Sequence, residues 1–209
     1  MALVEVPIEP HTGELPPELA DLVTTAARRI DAFVEARIRD PIPGFVPSDF
    51  DAVARALLAV RKGWLAPGDL FLEWGSGFGV VAILAARLGF RAQGIEIQED
   101  LVRAAEAFAR EVGEDVAFHT GSFLPEGSED RVPPMGEFAW LDTDAESAYE
   151  AMGLDPDDFD VIFAYPWPGE EDVVLDLFDR HAARGALLVT YRGREAVQVH
   201  RKVRGRRRG

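Results

Sequence analysis

Cysteine is absent from the 209 residues, which excludes disulfides, thiolate nucleophiles and cysteine-ligated metal sites and accords with a reducing compartment. Histidine is scarce and dispersed. His11, His119, His181 and His200 never fall at metal-ligand spacing, so no metal site is expected. There is no Gly-x-x-x-x-Gly-Lys-Ser/Thr loop, which argues against a P-loop enzyme, and Gly75-Ser76-Gly77 does not form a Gly-x-Ser-x-Gly nucleophile elbow. Long apolar runs are missing too: none reaches the length of a membrane span, and Met1 to Pro10 carry Glu5 and Glu9 where a leader would be basic, then apolar. A cytoplasmic chain with no membrane partner is expected.

What is present suffices for one sizeable core, because 47% of the residues are hydrophobic. The formal charge of −15 is unevenly spread. The last 18 residues carry eight Lys or Arg and one Glu, which leaves 14 basic and 36 acidic residues, or −22, for the rest. An acidic body disfavours nucleic acid and favours small or basic substrates, with plain solubility as the simpler alternative. The run His200-Arg201-Lys202-Val203-Arg204-Gly205-Arg206-Arg207-Arg208 is either a disordered, solubilising end or a patch for phosphate or an acidic partner.

Apolar residues at three- and four-residue steps, from Leu19 and Leu22 through Ala26 and Ile30 to Ile38, predict a helix from Pro16 to Arg39 after an irregular start. Asp40-Pro41-Ile42-Pro43-Gly44 ends it. Ser48 or Asp49 is placed to cap a second helix, about 50–61, and Leu65-Ala66-Pro67-Gly68-Asp69 reads as the turn before a strand.

The chain is organised around Leu70 to Gly79, Leu-Phe-Leu-Glu-Trp-Gly-Ser-Gly-Phe-Gly, which reads as a strand running into a glycine loop, with a helix over Val80 to Leu88 behind it. Such glycines let backbone approach a ligand, and the following helix start offers unpaired N–H groups. Glycines at 75, 77 and 79 leave Val80 in the last slot of the dinucleotide pattern Gly-x-Gly-x-x-Gly, which counts against a dehydrogenase. Phe90 to Ile97 reads as the next strand, and Glu96 closes it 17 residues past Gly79, where an acid can accept both hydroxyl hydrogens of a ribose. The alternative for Glu96 is a solvated strand-end charge.

Glu73-Trp74-Gly75-Ser76-Gly77-Phe78-Gly79 meets every position of acidic-x-Gly-x-Gly-x-Gly. In this it resembles the first motif of class I S-adenosylmethionine-dependent methyltransferases, which have a Rossmann-like fold. The preceding helix and Pro-Gly-Asp turn are similar to that family as well, and the resemblance extends from about Phe45 to Tyr191. It implies that Glu73, Gly75, Ser76, Gly77, Gly79, Glu96 and Ile97 hold the cofactor, and that Phe45 to Asp49 contribute to a lid; an ordinary interhelix loop is the alternative. A helix over Glu99 to Val112 leads to a short strand and Gly121-Ser122-Phe123. The family often has an acid there for the adenine amino group. This chain departs from that pattern, so Ser122 would make the hydrogen bond and Phe123 would pack on the adenine.

Residues 124–158 form an acidic, proline-interrupted insertion, with a short strand or turn expected at Phe138-Ala139-Trp140-Leu141, a short helix at Ala145 to Met152, and Trp140 and Tyr149 as packing aromatics. The strand Phe159 to Ala164 then ends in Tyr165-Pro166-Trp167-Pro168. This resembles in part the Asp/Asn-Pro-Pro-Tyr/Trp motif of amino-directed methyltransferases, without its acidic or amide first residue. The resemblance implies that the carbonyls of Ala164 or Tyr165, or the Tyr165 hydroxyl, receive the acceptor's N–H, and that Tyr165 and Trp167 are the catalytic residues whose ring faces attract a sulfonium. Core packing is the alternative for both. Methyl transfer is an in-line displacement in which positioning supplies much of the acceleration, so it needs no strong base. A helix led by Gly169-Glu170-Glu171-Asp172, a buried strand over Gly185 to Tyr191 and a last edge strand over Ala196 to Val203 complete the chain, which is shorter here than the family's usual strand, helix, strand ending.

The expected architecture is α/β, a Rossmann-like doubly wound, mostly parallel sheet with N-terminal helices. It divides into a helical extension at 1–44, a cofactor domain at 45–203 and a basic tail at 204–209. The expected function is S-adenosylmethionine-dependent methyl transfer to nitrogen on a protein side chain or small molecule. A non-catalytic S-adenosylmethionine- or nucleotide-binding module is the alternative, and an NAD-dependent dehydrogenase is disfavoured. Nucleic acid has a route only through the basic tail.

Overall fold

The structure, a computed structural model, describes residues 2–128, 141–142, 144–193 and 197–204. In chain order these form β1 (Ala2–Glu5), α1 (Pro17–Ala36), α2 (Phe50–Lys62), β2 (Leu70–Trp74), α3 (Val80–Arg87), β3 (Arg91–Glu96), α4 (Glu99–Val112), β4 (Ala117–Thr120), α5 (Tyr149–Met152), β5 (Val161–Ala164), α6 (Glu171–His181), β6 (Leu187–Tyr191) and β7 (Val197–Val203). The strands make one sheet in the order β1-β7-β6-β5-β2-β3-β4. Strands β2 to β6 are mutually parallel and β7 runs against its neighbours. This is the α/β, doubly wound, mostly parallel arrangement.

Both faces of the sheet are covered, which explains why β5 and β6 read as unbroken apolar runs. Alternate residues serve opposite layers. Phe71, Val161, Phe163, Leu187 and Val189 pack under α1, α2, α3 and α4, while Leu72, Ile162, Ala164 and Leu188 pack under α5 and α6. In α1 the buried residues are Leu19, Leu22, Ala26 and Ile30, and the helix ends at Ala36, short of Arg39. Asp49 is the cap of α2, accepting from the Ala52 N–H at 3.1 Å. No helix among the described residues is long and apolar enough to cross a membrane.

The chain's two ends differ from expectation. The start holds β1, which pairs antiparallel with β7, Ala2 opposite Val203 and Glu5 opposite His200. Four residues are too few to show alternation, and their partner lies at the far end of the sequence. Strand β7 is therefore flanked on both sides and is not an edge. Residues 2–44 supply this strand and a helix whose apolar face belongs to the same core as Phe71 and Val81. His200 to Val203, read as the beginning of a basic run, lie in the sheet. Arg201 donates to the Leu65 carbonyl at 2.8 Å. The remaining tail, 205–209, and the expected strand at Phe138-Ala139-Trp140 lie outside the described residues.

Lys202 is buried, and its Nζ donates to the carbonyls of Arg180 at 3.2 Å and Ala182 at 2.5 Å. These are last-turn carbonyls of α6, which lack partners within the helix and carry the negative end of its dipole. Burial pushes the Lys202 ammonium below its ordinary value. Replacing Lys202 with Ala strands those carbonyls and leaves a void, with an expected loss of about 2–3 kcal/mol, read as a lower urea midpoint at unchanged slope.

Candidate functional site

Chain order reverses direction between β2 and β5, which are neighbours in the sheet. In a parallel α/β sheet a crevice opens beyond the strand ends at such a point. A cavity of about 550 Å³ lies there, walled by the ends of β2, β3 and β5, by the glycine loop and by residues 43–48. That volume is of the size that takes a small-molecule ligand.

Two carboxylates shape the glycine loop. Glu73 is buried at the end of β2, and its Oε2 accepts from the Ala82 N–H at 2.8 Å, closing an otherwise open donor in the first turn of α3. Burial raises its pKa well above the ordinary carboxyl value. The Ala82 hydrogen bond opposes the rise and the nearby Glu96 adds to it. Glu96 accepts from the Gly77 N–H at 2.7 Å through Oε2 and from the Gln98 N–H at 2.9 Å through Oε1. Burial raises its pKa also, against those backbone bonds. A carboxylate offers about four acceptor positions, so Glu96 retains capacity for a ribose. Between the two acids, Ser76 Oγ is buried in the cavity wall with no hydrogen-bond partner among the described residues.

The loop glycines divide by role. Gly77 sits at φ +52°, and a Cβ there would be 3.1 Å from the Phe45 ring. It lines the cavity with Gly75 and Ser76. Gly79, at φ +74°, does not line it. A Cβ at this position would collide with the Phe118 ring and lie 2.8 Å from Ala105 Cβ, so the third glycine is needed for close packing of α3 against α4 and β4.

Beyond β4, Ser122 joins the insertion: its N–H donates to the Glu146 carbonyl at 2.8 Å, its carbonyl accepts from Ala148, and its Oγ accepts from the Leu124 N–H at 3.2 Å. The hydroxyl also approaches the Asp142 carbonyl at 3.4 Å. Phe123 stacks on Trp74, with centroids 5.2 Å apart and planes 7° from parallel. Trp74 Nε1 donates to the buried Tyr149 hydroxyl at 2.8 Å. Tyr149 is thus held against Trp74 by a specific bond as well as by packing.

At the end of β5, Tyr165 meets Tyr191 edge to face at 4.9 Å. Burial, with Tyr191 adding, raises the Tyr165 pKa. The Trp167 N–H donates to Glu170 Oε2 at 3.2 Å and its carbonyl accepts from the Glu170 N–H at 2.9 Å. This tight turn brings the Glu170 carboxylate back under the proline loop. Across the mouth, Phe45 meets Phe33, which packs edge-on to Phe78 at 5.5 Å. The segment before α2 therefore covers the glycine loop.

The cavity brings together Glu73, Gly75, Ser76, Gly77, Glu96, Ile97, Ser122, Phe123, Tyr165 and Trp167. It also holds Gln98, Leu101, Asp142, Glu170 and Val174, which sequence reasoning missed. Glu170 had a signal in the acidic start of its helix, three residues past Trp167. Asp142 had none, because the path of the insertion is set by tertiary contacts.

No family model matches the chain. A curated relative, the ribosomal protein L11 methyltransferase of Thermus thermophilus, is 39% identical over 102 residues, which are 49% of this chain and 37% of the relative. The match thus spans little more than a third of that protein. Among solved structures, an RNA methyltransferase from Salinibacter ruber in complex with S-adenosyl-L-homocysteine superposes with a TM-score of 0.54 at 22% identity, covering 78% of this chain and 98% of that one. A methyltransferase from Geobacter sulfurreducens gives 0.53 at 18% identity, covering 91% and 92%. At these identities the likeness shows the fold.

Glu73 yields a pH test. A carboxyl whose folded pKa is raised stabilises the fold fully below its unfolded value, about 4.3, and that contribution is lost as pH rises through the folded pKa. Gln keeps the acceptor oxygen and never ionises. The urea midpoint of Glu73→Gln is therefore expected to gain on that of the wild type between pH 4.5 and pH 8, and a pH-independent offset would contradict the assignment.

Proposed function

We propose that this chain, which has the fold of the class I S-adenosylmethionine-dependent methyltransferases, transfers a methyl group from that cofactor to a nitrogen on a protein side chain or small molecule. The observation that carries the reading is the single cavity at the switch point, which joins the Glu96 carboxylate, the glycine loop and the Tyr165-Pro166-Trp167-Pro168 loop. The residues present fit the cofactor. Ser76 Oγ is buried and unpartnered in the wall, Gly77 presents bare backbone, and Glu96 accepts hydroxyl hydrogens where a ribose would lie.

The cofactor supplies an electrophilic methyl group on a positively charged sulfur. The chain's own residues bind and orient. Glu96 holds the ribose, the glycine loop and the start of α3 border the amino-acid portion, and the Trp74–Phe123 stack and Ser122 form the wall towards the adenine. Tyr165 and Trp167 present ring faces that favour a cation and a phenol that bonds to the acceptor. Residues 43–48 exclude water above the loop. Among the described lining residues the acids are Glu73, Glu96, Asp142 and Glu170, with no Lys, Arg or His. That balance supports a neutral or cationic acceptor over a phosphate-bearing one.

Calorimetric titration with S-adenosylmethionine, S-adenosylhomocysteine and NAD tests the cofactor. The first two are expected to bind, with about tenfold or greater loss in Glu96→Ala as charge-assisted hydrogen bonds are removed and complete loss in Gly77→Arg. Binding of NAD alone would overturn the reading. Methylation confined to oxygen acceptors in an assay with labelled donor would overturn the nitrogen assignment.

A further inference from the structure

The Tyr165-Pro166-Trp167-Pro168 loop lacks an acidic or amide side chain at its head, yet the fold returns one to it. Glu170 is buried, lines the cavity, and its Oε2 lies 3.2 Å from the Trp167 nitrogen. The turn that places it there is closed from both sides, because the Glu170 N–H donates to the Trp167 carbonyl. The carboxylate is therefore held against the loop backbone at Trp167, just past β5, whereas Glu73 and Glu96 stand at the glycine loop. Asp142 is turned into its own loop, accepting from the Asp144 N–H at 2.8 Å through Oδ1.

We propose that Glu170 is the acceptor-recognition residue of this site and that the acceptor is an aliphatic amine, bound as its ammonium between the Glu170 carboxylate and the Trp167 ring. The inference rests on the methyltransferase reading and names its substrate class. Carboxylate oxygens accept N–H donors, and indole faces attract cations. No described lining residue supplies the positive charge that a carboxylate- or phosphate-bearing acceptor would require. The reaction balances simply. The ammonium loses one proton to solvent water, the freed lone pair forms the N–C bond as the methyl C–S bond breaks, and the electron pair of that bond stays on sulfur. Glu170 accepts a remaining N–H throughout and holds the nitrogen in line. The same chemistry arises from a free small amine or from a lysine side chain.

The test uses the full chain saturated with S-adenosylhomocysteine, so that acceptor binding is read without turnover. Propylamine, spermidine and a lysine-containing tripeptide are titrated against propanol and propionate as neutral and anionic controls. The amines are expected to bind at least tenfold more tightly than either control. Glu170→Gln is expected to weaken amine binding about tenfold or more, with Glu170→Asp intermediate. Preference for the tripeptide or for the free amines identifies the source. With S-adenosylmethionine in place of the product, mass spectrometry is expected to find the methyl group on nitrogen, with KM raised more than kcat is lowered in Glu170→Gln. Equal binding of amine and propanol by the wild type overturns the proposal, even where the variant fails to fold. A Glu170→Gln variant that binds amine as the wild type does overturns it too. Equal weakening of S-adenosylhomocysteine and amine assigns Glu170 to the cofactor and overturns it as well. Failure of the wild type to bind S-adenosylhomocysteine at all is a different result, because it removes the underlying methyltransferase reading.

Discussion

The glycine loop is held open by two buried carboxylates, and the rest of the site depends on that clamp. Glu73 bonds forward into the first turn of α3, while Glu96 bonds back to the loop at Gly77. Neither contact is an ion pair. Each acid is stabilised by backbone N–H groups, and burial still pushes both pKa values upward. Two partly uncompensated acids and an unpartnered Ser76 hydroxyl carry an electrostatic cost. A phosphate group at the loop would meet those acids.

The aromatic walls complete that selectivity. Trp74 and Phe123 make a flat stack on one side and Tyr165 and Trp167 border the other, while Phe45 closes over Gly77. Three of them are anchored by a contact outside the cavity: Trp74 by Tyr149, Tyr165 by Tyr191, Phe45 by Phe33. Fixed ring faces and carboxylates suit the methyl transfer proposed above, in which positioning carries much of the acceleration.

How much of this was legible followed from how local each cause was. The strand, glycine loop and helix around Glu73, the acid closing β3 and the Asp49 cap were readable because their determinants lie within a few residues. The separate role of Gly79 was not, since the Phe118 ring that excludes a side chain there comes from β4. Ser122 lies at the cavity wall, and its bonds to the insertion depend on residues more than twenty positions away. Strand β1 was hidden for the same reason, its partner lying near residue 200.

That pairing has a kinetic side. Strand β1 has nothing to pair with until β7 exists, about two hundred residues further along the chain. Closing so large a loop carries a high entropic cost, and contacts of such separation form late. The parallel strands and the cavity at their ends are built from segments between these two, so they can assemble first. Paired there, β1 covers the β7 edge that would otherwise remain open to intermolecular pairing.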